Sequence, residues 1–228
     1  MKRVDLKFEF SFKTILNKSF RVQSLIGQYD LENKEVIQEF KGNYKLPEHW
    51  NIGLIVGNSG SGKTSIAKNV FGEFSSCEWD EKPIIDNFKK ELSMEEITGV
   101  LGSVGFNSVP YWLKPFSVLS NGEKQRVELA RLASEKDFVV FDEFSSLVDR
   151  DVAKSMANSV QKMFRKLNKK FIAVTCHKDL QEWLLPDWIY DTDNKVFFCP
   201  KNDEKKNSNS QLNESRIANG NFIKSIII

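Results

Sequence analysis

Apolar and polar positions along the chain fall into two periods. Near the start, Val4, Leu6, Phe8, Phe10 and Phe12 alternate with Asp5, Lys7, Glu9 and Ser11. A period of two places one face of a strand inside and the other in water. Ser19 to Ile26 reads as a second strand, Asp30 to Asn33 as a turn, and Val36 to Phe40 as a third strand. Pro47 and Asn51 bracket a loop. Ile52 to Val56 then forms a short, apolar, β-branched run, the pattern of a strand buried on both faces. Helical spacing follows, with Ile66, Ala67, Val70 and Phe71 on one face. Residues 72–82 read as a loop, and 83–118 as two or three short helices broken by Gly99, Gly102, Gly105, Pro110 and Pro115.

The second half repeats the alternation. Ser120 precedes an amphipathic helix with Val127, Ala130 and Ala133 among its apolar positions. Phe138 to Phe141 is a second buried strand. Val152, Met156, Val160, Met163, Phe164 and Leu167 recur at three and four, which predicts a helix over 150–168. Phe171 to Cys176 is a third buried strand, and Asp179 to Leu185 a short helix. Trp188 to Asp191 and Val196 to Cys199 flank Thr192-Asp193-Asn194-Lys195 as a hairpin. Strands alternating with helices predict an α/β fold with a mainly parallel central sheet and flanking helices. The N-terminal strands form a small antiparallel β-subdomain beside it. Residues 1–200 are expected to be one domain, and the polar tail 201–228 to be disordered.

Composition narrows the classes. The 228 residues are 40% hydrophobic and 28% charged, with a net charge of +2. Such a balance suits an ordinary globular protein and not a nucleic-acid-coating one, although a local basic patch stays open. Eighteen phenylalanines point to aromatic packing without implying any chemistry. Cys77, Cys176 and Cys199 have no CxxC spacing, which argues against a disulfide framework or a structural zinc site. No apolar run follows Lys2 and Arg3, and no stretch approaches the length of a membrane span. A cytoplasmic location without membrane insertion is expected.

One octapeptide carries chemistry. Gly57-Asn58-Ser59-Gly60-Ser61-Gly62-Lys63-Thr64, followed by Ser65, fits the phosphate-loop pattern GxxxxGK[ST]. Glycines let successive N–H groups turn toward phosphate oxygens, and the helix that opens there adds its dipole. Lys63 would reach the β- and γ-phosphates, and Thr64 would offer a hydroxyl to magnesium. The strand before it and the helix after it are the context the motif requires. Downstream, Phe138 to Phe141 ends in Asp142 and Glu143. Two carboxylates at the end of an apolar strand suit a magnesium–phosphate centre, Asp142 holding the metal and Glu143 taking a proton from the attacking water.

Leu119-Ser120-Asn121-Gly122-Glu123-Lys124-Gln125-Arg126 resembles the LSGGQ signature of the ABC ATPases, with Asn121 and Glu123 in place of the usual Gly and Gln. The same four residues, Ser120 to Glu123, also fit an ordinary helix capping box. The order of motifs continues the resemblance: Asp149 stands where that family has the acid of its D-loop, and His177 where it has the switch histidine. The resemblance covers roughly residues 19–199. It implies ATP as ligand with Mg2+, hydrolysis, and a homodimer in which Ser120–Glu123 of one chain caps the γ-phosphate on the other. Lys63 and Ser120 are only 57 positions apart, so the helical subdomain, about 83–133, is expected to be shortened. No Gln stands where the family has its Q-loop; Glu78 and Trp79 hold that place. Tyr29 is the candidate adenine-stacking ring. The compact form resembles a soluble subgroup in which a GNAT-type acetyltransferase accompanies the ATPase. The expected function is therefore an ATP-driven switch acting on a protein partner, such as an acetyltransferase, or on nucleic acid. The alternative is the nucleotide-binding subunit of a membrane transporter.

Overall fold

The computed structural model describes residues 5–14, 19–29 and 36–200. The chain divides into two compact units, Met1–Leu46 and Pro47–Ile228. In the first, β1 (Leu6–Thr14) pairs antiparallel with β2 (Val36–Tyr44), with Leu6 opposite Tyr44. Phe10 stacks on Phe40 across the pair, centroids 5.0 Å apart. The second N-terminal strand expected at Ser19–Ile26 is instead helix α1 (Phe20–Gln28). Val22 and Ile26, one turn apart, are its half-buried positions, a helical and not an alternating spacing. The Ser19 side chain accepts from the Val22 N–H and so starts the helix. The 201–228 tail lies outside the described residues.

The second unit is built on a five-stranded sheet in the order β4-β5-β3-β6-β7. The strands are β3 (Ile52–Val56), β4 (Phe138–Phe141), β5 (Lys170–Thr175), β6 (Trp188–Asp191) and β7 (Val196–Phe198). The first four in spatial order run parallel, and β7 closes one edge as an antiparallel hairpin with β6. Every residue of β3 is buried, which is why its sequence lacks alternation. The helices are α2 (Lys63–Phe71), α3 (Met94–Ser103), α4 (Val109–Trp112), α5 (Asn121–Glu135), α6 (Arg150–Lys166) and α7 (Gln181–Leu184). Short 3-10 turns at Ile84–Asn87, Phe116–Val118 and Lys178–Leu180 connect them.

The core gathers Leu54 and Phe171 from the sheet, Val127 and Leu129 from α5, and Met156, Val160 and Phe164 from α6. Phe171 meets Phe164 at 4.9 Å and Phe144 at 5.6 Å between centroids. Burying such rings, at about 25 cal/mol per Å2 of apolar surface, is what fixes α6 on the sheet. Asp187 ties the sheet's far end together: it accepts from the Asn51 and Ile52 N–H groups and from the Arg165 guanidinium at 3.0–3.1 Å. Parallel register then sets the opposite edge. Phe141 aligns with Ala173, Ala173 with Leu54, and Thr175 with Val56. Gly57, Asp142 and His177 all leave the sheet at this one carboxyl edge.

Candidate functional site

The loop from β3 to α2 turns on its three glycines, Gly57, Gly60 and Gly62, the last two in the left-handed region. A Cβ at Gly57 would run into the Thr192 hydroxyl, so only a bare backbone passes there. Gly62, the N-cap of α2, has φ 88°, the left-handed region that favours glycine. Gly62 offers no side-chain cap. Among the described helices of nine or more residues, α1, α3, α5 and α6 are closed by Ser19, Ser93, Ser120 and Asp149 respectively. Of these described helices of nine or more residues, α2 is the one whose first N–H groups have no side-chain cap, and it starts at the sheet's carboxyl edge, where an anion would satisfy them. Lys63 lies in this first turn, its Nζ donating to the Asn58 carbonyl at 2.5 Å. Thr64 is exposed beside it, Ser65 half-buried, and Asn58, Ser59 and Gly60 form the open lip of the loop.

The carboxylates leave β4, which β5 separates from β3. Asp142 is half-buried and accepts from the Glu143 N–H at 2.9 Å. Glu143 is exposed and has φ 50°, a conformation costly for a residue with a side chain. Its neighbours hold it there. The Phe144 N–H donates to the Val174 carbonyl at 2.9 Å, with the Phe144 ring fully buried. The Glu143 carbonyl accepts from Ser146 Oγ at 2.5 Å, from the Ser146 N–H at 3.1 Å, and from Gln125 Nε2 at 3.3 Å.

His177 follows β5 with its N–H on Thr175 Oγ1 at 3.2 Å. Burial, reinforced by the positive Arg150 and opposed by Asp179, pushes its imidazole below the usual histidine range. Arg150 and Asp179 pair with each other beside it.

Both readings of Ser120–Glu123 meet in the structure. Ser120 Oγ donates to Glu123 Oε2 at 2.7 Å, and the Ser120 N–H donates to the same oxygen at 2.9 Å. The capping box is thus formed at the head of α5. Burial works against the Glu123 charge, but the Ser120 bonds, with Arg126 and Lys114 near, hold its carboxyl below the ordinary range. Ser120, Asn121, Gly122 and Glu123 line one side of a cleft of about 490 Å3, with Leu147, Val148 and Asp149 on the other. Asp149 caps α6, accepting from the Asp151 and Val152 N–H groups. Tyr29 is the C-cap of α1 in the first unit, 66% exposed. His49 is exposed.

Where a Q-loop glutamine would stand, Trp79 stacks on Phe116 at 4.3 Å and donates to Glu128 at 2.5 Å. Arg131 lies over the Trp79 ring and donates to the Glu78 carbonyl. The segment is thereby fastened to α5. Several contributing residues had no sequence signal. Gln125 and Arg150 reach the site from helices, and Thr192 and Asp193 from the late hairpin turn, which reads only as a turn.

The profile of the ATPase family associated with various cellular activities (AAA) matches residues 53–198. The chain is 25% identical over 216 residues to the energy-coupling factor transporter ATP-binding protein EcfA1 of Leuconostoc mesenteroides, covering 75% of this chain and 76% of that protein. It is 29% identical over 134 residues to the probable ABC transporter ATP-binding protein p29 of Mesomycoplasma hyorhinis, covering 58% of this chain and 49% of that one. Its fold is similar to that of the ATP-binding cassette MJ0796, solved as a post-hydrolysis dimer bound to ADP and Pi (TM-score 0.52, 15% identity, 80% of this chain and 94% of that one). It is also similar to cbiO1 of Clostridium perfringens, part of the ABC transporter complex cbiONQ (TM-score 0.54, 16% identity, 82% and 91%). Fold and phosphate loop together define an α/β P-loop NTPase domain. The chain belongs to the ATPase family associated with various cellular activities, and the two curated relatives are named as transporter ATP-binding proteins.

Proposed function

We propose that the chain binds Mg-ATP at Gly57–Ser65 and hydrolyses it as a two-fold dimer, working as a soluble cytoplasmic conformational switch. The observation that carries this reading is the uncapped head of α2, beside Lys63 and at the same sheet edge as Asp142 and Glu143. Thr64 and Asp142 supply the hard oxygen donors that suit magnesium, which when bound neutralises charge on the β- and γ-phosphates. Lys63 leaves the Asn58 carbonyl for the phosphates. Glu143 orients the attacking water and accepts its proton, and His177 donates toward the γ-phosphate. Ser120–Glu123 and Asp149 of one copy close the site of the other, as the isologous symmetry of such a dimer requires. The switch would act on a protein partner, an acetyltransferase among the candidates, or on nucleic acid.

A second reading is supported by the curated relatives, whose names make them transporter ATP-binding proteins. In it the chain is the nucleotide-binding subunit on a membrane partner. Among the described residues, no helix is long and apolar enough to cross a membrane. The test of the shared core is ATP titration. Lys63→Ala removes the cation of the loop, and affinity should fall at least about tenfold, the loss of one charge-assisted contact. Unchanged affinity would remove the phosphate site. Co-purification with a membrane protein from native membranes would decide for the second reading.

A further inference from the structure

The turn between β6 and β7 reaches back onto the phosphate loop. Both Asp193 oxygens accept from the Asn58 N–H, at 2.9 and 3.1 Å. Beside it, the Thr192 N–H donates to the Val56 carbonyl at 2.8 Å, and Thr192 Oγ1 donates to the same oxygen at 3.2 Å. The Thr192 hydroxyl also lies 2.6 Å from Ser61 Oγ, on the far side of the loop. Lys178, the residue directly after His177, bridges Asp191 and Asp193 at 3.0 Å each. On the other side of Asn58, its carbonyl holds Lys63 Nζ at 2.5 Å. An unbroken polar run therefore leads from Lys178 through Asp193 and Asn58 to Lys63.

We infer that Asp193 is a positioning residue for the phosphate loop, and that Lys178 ties this hold to the segment carrying His177. The inference rests on the reading of residues 57–64 as the phosphate site. Its physical basis is order. The loop's N–H groups converge on a phosphate only when its backbone is fixed, and every residue fixed beforehand is one that binding need not order. Asn58, Ser59 and Gly60 are exposed and would otherwise be the loose part of the loop. The Asn58 N–H, with Lys178 behind it, holds the Asp193 carboxyl below the ordinary range despite partial burial, so the acceptor is fully charged at neutral pH.

Mg-ATP and Mg-ADP affinities of the full-length chain test it, together with steady-state turnover and nucleotide-free melting. Asp193→Ala should weaken both nucleotides about tenfold and raise KM alike, with kcat within about twofold, because only loop order is lost. Asp193→Asn keeps an oxygen for the Asn58 N–H and should stay within about threefold of the wild type. Lys178→Met should weaken binding about threefold alone and add nothing on the Asp193→Ala background, since the two act in series. Wild-type affinity in Asp193→Ala overturns the inference, as does an Asp193→Asn variant no better than alanine. Additive effects in the double variant overturn the link to Lys178. If Asp193→Ala melts early, Asp193→Asn against the wild type carries the decision. A wild type that binds no ATP removes the phosphate site and this inference with it. A wild type that binds while Asp193→Ala matches it removes this inference alone.

Discussion

Glu143 shows how much local structure one side chain can require. Its left-handed backbone costs roughly 1–2 kcal/mol, and it persists because Phe144 is locked into the core and the Ser146 bonds fix the next turn. Glu143→Gln keeps the shape and the bonds but cannot take a proton. ATP affinity should stay near the wild type while steady-state turnover falls about a hundred- to ten-thousand-fold. Turnover at the wild-type rate would place the base elsewhere. Residues of this kind were legible because each motif is contiguous: Gly57 to Thr64, Asp142 with Glu143, Ser120 to Glu123. Asp193 was not legible, since its meaning lies in a contact with Asn58, 135 positions away. Nothing in Thr192-Asp193-Asn194-Lys195 distinguishes a brace from any other polar turn.

At the level of elements, α5 reaches the site at two points. Its head is the Ser120–Glu123 capping box, and one turn on, the buried Gln125 reaches the Glu143 carbonyl while its Oε1 is buried without a partner among the described residues. Gln125→Leu removes both the donor and the unpaired oxygen, so the two effects on stability oppose each other. Melting should shift by only a few degrees, while turnover drops about fivefold, the worth of roughly 1 kcal/mol of hydrogen bonding at Glu143. ATP affinity unchanged alongside the slower turnover separates positioning of the base from general damage. Buried strands and the long α6 were legible as elements because their patterns are unambiguous: five consecutive buried residues in β3, and threes and fours along α6. Helix α1 was misread because it buries no residue fully, so its apolar spacing records weak selection by packing. Between Pro83 and Val118 the chain forms two 3-10 turns, the ten-residue α3 and the brief α4; Gly105 and Pro115 do separate elements, but Gly99 and Gly102 lie inside α3 and Pro110 in the first turn of α4, so three of the expected breaks are not breaks.

For the whole molecule, the parallel register is what collects Gly57, Asp142 and His177 at one edge, and that gathering followed from strand order once the βα alternation was recognised. On the proposed reading, a single chain leaves the far side of the γ-phosphate uncovered. Glu143→Gln with Mg-ATP should sediment as a dimer, and Ser120→Arg as a monomer that still binds ATP. A monomeric Glu143→Gln protein at saturating ATP would leave Ser120–Glu123 as a helix cap and nothing more. Losing that cap costs about 1 kcal/mol, so melting of Ser120→Arg is measured alongside. The brace from Asp193 to Asn58 also sets an order in time. On the ribosome the phosphate loop is made early in the second unit and, on the inference above, steadied late. The Asn58 N–H waits for a partner still 135 residues from synthesis, on the order of ten seconds at ordinary elongation rates. On that inference, until the final hairpin has emerged the nascent chain carries Gly57–Thr64, Asp142, Glu143 and His177 without the brace that steadies the loop.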